Sequence, residues 1–141
     1  MSTARHVYER HVAAFNAKDG GADPWSLDAE LVAPGTELHG RGEVIDFLRV
    51  YWEAFPDARQ EITRLVADGP IVSAEGRFAG THSGPLRLPE GAFAPTGRRV
   101  EFRWSVTCEV RGEELISEHL YFDRLDLLTQ LGLASPSSRS T

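Results

Sequence analysis

The sequence predicts an α+β domain, a curved antiparallel sheet wrapped around helices that come early in the chain. Three observations carry this. Apolar residues recur at helical spacing in the first third, most clearly Val44, Phe47, Leu48, Tyr51 and Phe55 at +3, +4, +7 and +11. After Pro56 the period changes to alternation, longest where Val100, Phe102, Trp104, Val106, Cys108 and Val110 alternate with Glu101, Arg103, Ser105, Thr107 and Glu109. A run of helices followed by a run of strands sets the helices on one face of a sheet. A sheet curved around them leaves a pocket between the layers.

The elements follow in order. Ser2 or Thr3 caps a first helix reaching about Lys18, with Tyr8, Val12 and Phe15 as its apolar stripe, and Gly20-Gly21 ends it. Asp23-Pro24-Trp25 reads as the start of a short second helix, with Asp23 as cap and Pro24 in the first position. Ala33-Pro34-Gly35 breaks it, and Thr36 to His39 is a short extended piece. The clearest helix runs from about Arg41 to Ala54, and Pro56 ends it by pushing the preceding residue out of the α region. Ala58 to Ala67 and Ile71 to Thr81 are strands joined by Asp68-Gly69-Pro70. Ser83 to Gly97 is a long Pro- and Gly-rich loop. The strand from Val100 then turns at Arg111-Gly112 into a last strand, which completes a four-stranded meander. Residues 1–133 form one domain, and the Ser-rich stretch 134–141 is expected to be disordered.

Composition narrows the function classes. The chain has 141 residues, enough for one real core, with 41% hydrophobic and 26% charged residues. A net charge of −6 argues against a nucleic-acid partner and gives no pull toward anionic membranes. The first ten residues are polar and charged, and no stretch approaches a membrane span, so a cytoplasmic location is expected. The one cysteine, Cys108, shares the phase of Val106 and Val110 and reads as a packed core thiol. His6 and His11 lie about 140° apart on their helix, poor partners for one metal, and no other ligand cluster is seen. No metal or cofactor is expected. No nucleophile elbow, phosphate loop or dinucleotide fingerprint is present.

Chemistry concentrates in the last strand, Leu115 to Asp123. Under strict alternation Leu115, Ser117, His119, Tyr121 and Asp123 share one face, so three proton-handling side chains stand in a row. Whether that face is buried decides what they do.

Four segments resemble the SnoaL-like polyketide cyclases of the NTF2-like (cystatin-related cone) superfamily. They are Ala54-Phe55-Pro56-Asp57, Gly80-Thr81-His82-Ser83-Gly84-Pro85, Pro95-Thr96-Gly97-Arg98-Arg99-Val100, and Tyr121-Phe122-Asp123 through Gln130-Leu131-Gly132. The resemblance covers about residues 5 to 133. It implies a cone-shaped barrel with a deep apolar cavity and a homodimer. It also implies cofactor-free intramolecular aldol ring closure by an acid/base aspartate on the last strand, which falls on Asp123. The chain departs from many relatives in carrying His119 where they have an aromatic residue and Glu75 where they have Arg.

The candidates each have two readings. Asp123 is a desolvated carboxylate base, or the N-cap of a short helix from Arg124 to Leu131. His119 stabilises an enolate, or bonds a neighbouring strand; at about 13 Å along the strand it shares a ligand with Asp123 rather than a hydrogen bond. Tyr121 orients substrate, or is wall. Trp104 stacks on a planar substrate, or packs the core. Tyr51 lines the pocket, His82 anchors the loop after it, and His39 reaches the cavity mouth. The expected function is a cyclase, or a ketosteroid-isomerase-like double-bond shift, on a hydrophobic small molecule. Alternatives are a non-catalytic binder of such a molecule and a module that dimerises through Arg103, Thr107 and Glu109.

Overall fold

The computed structural model describes residues 3–133; the Ser-rich stretch 134–141 lies outside the described residues. Helix α1 (Ala4–Ala17) leads to strands β1 (Trp25–Ala33) and β2 (Thr36–His39), then helix α2 (Arg41–Ala54). Strands β3 (Arg59–Asp68) and β4 (Ile71–Thr81), the short pair β5 (Leu86–Leu88) and β6 (Gly91–Phe93), the long β7 (Arg99–Arg111) and β8 (Glu114–Phe122) follow, and helix α3 (Arg124–Gln130) comes last. The main sheet has the order β2-β1-β8-β7-β4-β3. The expected meander is its antiparallel half, β8-β7-β4-β3. The sheet is mixed, because β1 runs parallel to β8, and it ends on β2 and β3 instead of closing into a barrel.

Helix α1 starts where Thr3 accepts a hydrogen bond from the His6 N–H, and it buries Val7, Tyr8, His11, Val12 and Phe15. Its stripe and that of α2, with Val44, Leu48 and Tyr51 buried, pack on the inner face of the sheet. There the alternation in β7 puts Val100, Phe102, Trp104, Val106, Cys108 and Val110 inside. Burying one such apolar side chain contributes about 1.5–3 kcal/mol, so this strand alone is a large share of the core.

Three expectations need correction. The short helix after Asp23 is strand β1. Ala29, Leu31 and Ala33 alternate into the core, and the strand is paired on both sides, so ladder bonds replace helical ones. Asp23 is therefore not a helix cap. The loop from Ser83 to Gly97 contains the β5–β6 hairpin, anchored by fully buried Leu86.

The third correction decides the site. A bulge between β7 and β8 pairs Glu109 with Ser117 but Val110 with Leu115. One extra residue in a strand switches which face the following side chains occupy. Leu115 is inside, and beyond the bulge the inside positions are Glu118, Leu120 and Phe122. His119 and Tyr121 are turned to the outer face.

Candidate functional site

Two adjoining spaces that share lining residues lie between α2 and the sheet. The outer one, about 700 Å³, is lined by Leu38, Phe47, Val50, Tyr51, Leu88 and Phe122, with Glu43, Asp46, Arg87, Glu90 and Arg124 among its polar lining. An inner chamber of about 40 Å³ shares Phe47, Tyr51 and Phe122 and adds Phe15, Phe78, Phe102, Trp104 and Leu120. Its walls are an aromatic stack: Phe78 lies 4.7 Å from Phe102, and Phe102 lies 5.0 Å from Phe122, centroid to centroid. Gly76 makes room for Trp104. A Cβ there would stand 2.1 Å from the indole, so any side chain would displace the ring.

One inner-face position before Leu120 on β8 stands Glu118, 4% exposed. Its Oε1 lies 3.8 Å from His11 Nε2, and the Cys108 thiol donates to the same oxygen at 3.4 Å. His11 Nδ1 in turn lies 2.8 Å from Asp23 Oδ1. Three buried titratable groups from α1, β8 and the turn before β1 thus form one line, Asp23–His11–Glu118. Arg41 fixes that turn: its Nη1 donates to the carbonyls of Asp23 and Trp25 at 2.7 and 2.8 Å. Tyr8 stands between His11 and Trp104, with ring centroids 5.6 and 6.5 Å away, and so joins the array to the chamber wall.

Burial alone would push the His11 pKa down. The charge and hydrogen bond of Asp23 and the charge of Glu118 outweigh it and hold His11 up at about 9. Burial raises the Glu118 carboxyl, while His11 and the Cys108 thiol pull it back. Both His11 and Glu118 are thus held toward their protonated forms, the kind of shift found at groups that handle protons. Among the described residues, Asp23 Oδ2 and the indole N–H groups of Trp25 and Trp104 are buried without hydrogen-bond partners.

The residues the sequence singled out are scattered. Trp104 and Tyr51 line the inner chamber. Asp123 is exposed and caps α3, its carboxylate accepting the Asp126 N–H at 2.9 Å, which is the second of its two readings. His119 is half-exposed on the outer face with its Nε2 3.3 Å from Glu30 Oε1, and Tyr121 is 58% exposed there. The bulge thus separates His119 and Tyr121 from the cavity, and the capping turn carries Asp123 out of the strand. His82 is fully buried and accepts the Thr96 N–H at Nδ1, tying both ends of the β5–β6 loop. Burial holds its pKa below the usual histidine range. His39 is exposed at the end of β2, outside the cavity lining.

Sequence reasoning missed Glu118, His11 and Asp23 as a group. Two signals were present. Glu118 stands in phase with Leu120 and Phe122, a carboxylate among apolar positions. His11 lies at i+3 from Tyr8 and i+4 to Phe15, inside the buried stripe of α1. Among the described residues, no group of three or more His, Cys, Asp or Glu is arranged to hold a metal ion, and no helix is long and apolar enough to cross a membrane.

An open, curved α+β sheet with an aromatic cavity beneath its helices defines the NTF2-like, ketosteroid-isomerase-like class of folds. Within it, this chain belongs to the SnoaL-like polyketide cyclase family, whose model matches residues 5–131. Among solved structures it is similar to IdmH from Streptomyces antibioticus, a proposed polyketide cyclase, at 22% identity over 93% of this chain and 99% of that one, with a TM-score of 0.78. It is similar to a protein of ketosteroid isomerase-like fold from Catenulispora acidiphila at 19% identity, over 96% and 97% of the two chains, TM-score 0.74. A LEH-like epoxide hydrolase from M. tuberculosis matches at 21% identity over 91% and 88%, TM-score 0.69. No curated protein matches the sequence significantly.

Proposed function

We propose that the protein is a cofactor-independent enzyme that moves a proton on a hydrophobic carbonyl compound, as in aldol-type cyclisation or a double-bond shift. The observation that supports this is the buried Asp23–His11–Glu118 line, which reaches the aromatic chamber through Tyr8 and the chamber-lining Trp104. In this reading Glu118 takes the proton from the carbon next to the carbonyl. Protonated His11 compensates the resulting charge, and Asp23 holds the imidazole in place. Trp104 and Leu120 line the chamber and Glu118 does not, so in this reading the substrate reaches Glu118 past those two side chains. The aspartate the family pattern points to, Asp123, serves instead as the cap that starts α3 and places Arg124 at the cavity mouth.

The test is solvent exchange. A polycyclic ketone incubated with the protein in D₂O should lose its α-proton signal by NMR faster than without protein. The rate should fall at low pH as Glu118 protonates. No acceleration with any ketone shown to bind would overturn the enzyme reading. A second reading, a non-catalytic carrier of a hydrophobic molecule, is favoured by the position of Glu118 behind the cavity wall; it predicts binding without exchange.

The outer sheet face, with Arg103, Thr107 and Glu109, is proposed to pair with a second copy of the chain. Sedimentation of a strict monomer at micromolar concentration would refute that pairing.

A further inference from the structure

Part of the rim of the outer space is the loop 83–97, whose hairpin supplies Arg87, Leu88, Pro89 and Glu90 to the lining. Both ends of that loop meet at His82, which is fully buried. The His82 backbone N–H donates to the Arg98 carbonyl, and its carbonyl accepts the Gly97 N–H, each at 2.8 Å. Its Nδ1 accepts the Thr96 N–H at 3.2 Å and lies 3.0 Å from the Thr96 hydroxyl, which accepts the Arg98 N–H at 3.3 Å. An amide N–H can only donate, so Nδ1 carries no proton and the neutral ring keeps its proton on Nε2. Among the described residues Nε2 is buried without a partner. The ring lies against Phe55, with centroids 5.6 Å apart.

This arrangement has no place for a second ring proton. A proton on Nδ1 would set two N–H groups against each other and leave a buried cation with no carboxylate bonded to it. The charged groups on the segments around the ring are Glu53 and Asp57 on one side and Arg98 and Arg99 on the other. Glu53 holds Arg87, Asp57 accepts the Thr81 N–H and feels the Arg99 charge, and Arg98 reaches the Gln130 carbonyl at 3.4 Å. None of them bonds the imidazole, and burial alone holds its pKa below the ordinary 6.5. The hairpin has two further polar tethers, the ion pairs Arg87–Glu53 at 2.8 Å and Arg124–Glu90 at 2.6 Å, both partly exposed and therefore weak. Arg124 keeps Glu90 below the usual carboxylate range, so that pair outlasts the His82 contact as pH falls. Fully buried Leu86 keeps the hairpin on the fold when its ends are loosened.

We propose that His82 is an acid-released latch on the cavity rim: a proton on Nδ1 removes the acceptor of the Thr96 N–H, loosens the 83–97 hairpin, and weakens the hold of the cavity on its ligand. The sign follows from which form binds the proton. A released imidazole titrates near 6.5 and the latched one lower, so the latch is closed above 6.5. Each pH unit below that favours the released form by up to about tenfold, until the latched ring titrates too. The inference rests on the proposed cavity reading and adds a regulation of that site.

The experiment follows two readouts from pH 7.5 to 5. One is the affinity for a polycyclic aromatic hydrocarbon, a probe with no titrating group. The other is amide hydrogen-exchange protection, corrected for the intrinsic exchange rate, in the hairpin and in β7. In wild type, hydrocarbon affinity and hairpin protection should both fall below pH 6.5, by up to about tenfold per unit, while β7 stays protected. His82→Asn places a non-titrating oxygen acceptor near the position of Nδ1 and should bind as wild type does at pH 7.5 and lose the acid response. Flat hairpin protection in wild type, equal loss in the hairpin and β7, or a full acid response in a folded His82→Asn overturns the latch. The comparison of hairpin with β7 in wild type decides it without the variant. If the hydrocarbon binds at no pH, the cavity reading falls, and hairpin protection alone decides the latch.

Discussion

Replacing Asp23 by Asn should remove the part of the pH dependence of stability that His11 contributes through its pairing with Asp23. Asp23 Oδ1 is 2.8 Å from His11 Nδ1, and Asp23 is 2% exposed. With its partners, His11 is held at about 9, against an ordinary 6.5. At about 1.36 kcal/mol per pKa unit that span is worth ~3 kcal/mol. The sign follows from which state binds the proton more tightly. Folded His11 does, so the stabilisation is complete below pH 6.5 and is lost as pH rises to about 9. Glu118 acts in the same direction, because burial makes its ionisation costlier in the folded state. In Asp23→Asn the main partner is gone and burial favours neutral imidazole. Urea unfolding from pH 5.5 to 10 should show wild type losing ~3 kcal/mol across the window. The variant should be about that much weaker at pH 6 and nearly equal at pH 10. A flat wild-type profile, or a gap that is the same at both ends, would refute the reasoning.

Other consequences can be checked more quickly. Gly76→Ala should push the Trp104 indole out of its place and weaken ligand binding at the inner chamber, seen as a changed tryptophan emission and a lost affinity. Asp123→Ala should cost about 1 kcal/mol in thermal or urea unfolding through loss of the α3 cap, with α3 amides exchanging faster. Arg41→Ala frees the Asp23 and Trp25 carbonyls and should lower the pH at which His11 titrates, read by its imidazole NMR signals.

Most of the fold was legible because periodicity reports burial directly. The stripe of α2 and the alternation of β7 each run long enough for the pattern to have one reading. Strand β1 was not legible, since Asp23-Pro24-Trp25 has the local chemistry of a helix start. The outcome there depends on pairing with β8, about 90 residues later in the chain. The faces of the last strand were misassigned for a related reason. Strict alternation in β8 puts Leu115 and His119 on one face, and the single bulge that separates them is set by pairing with β7, which no local pattern reveals. The Asp23–His11–Glu118 line joins a helix, a turn and a strand, so only the tertiary fold makes it one object.

The most direct test compares two variants in one exchange assay. α-Proton exchange of a bound polycyclic ketone in D₂O is measured for wild type, Glu118→Gln and Asp123→Asn, with thermal unfolding confirming that each is folded. The buried-array account predicts that Glu118→Gln loses the acceleration and Asp123→Asn keeps it. Retained exchange in Glu118→Gln, with loss in Asp123→Asn, would contradict it and return the proton transfer to the capping aspartate.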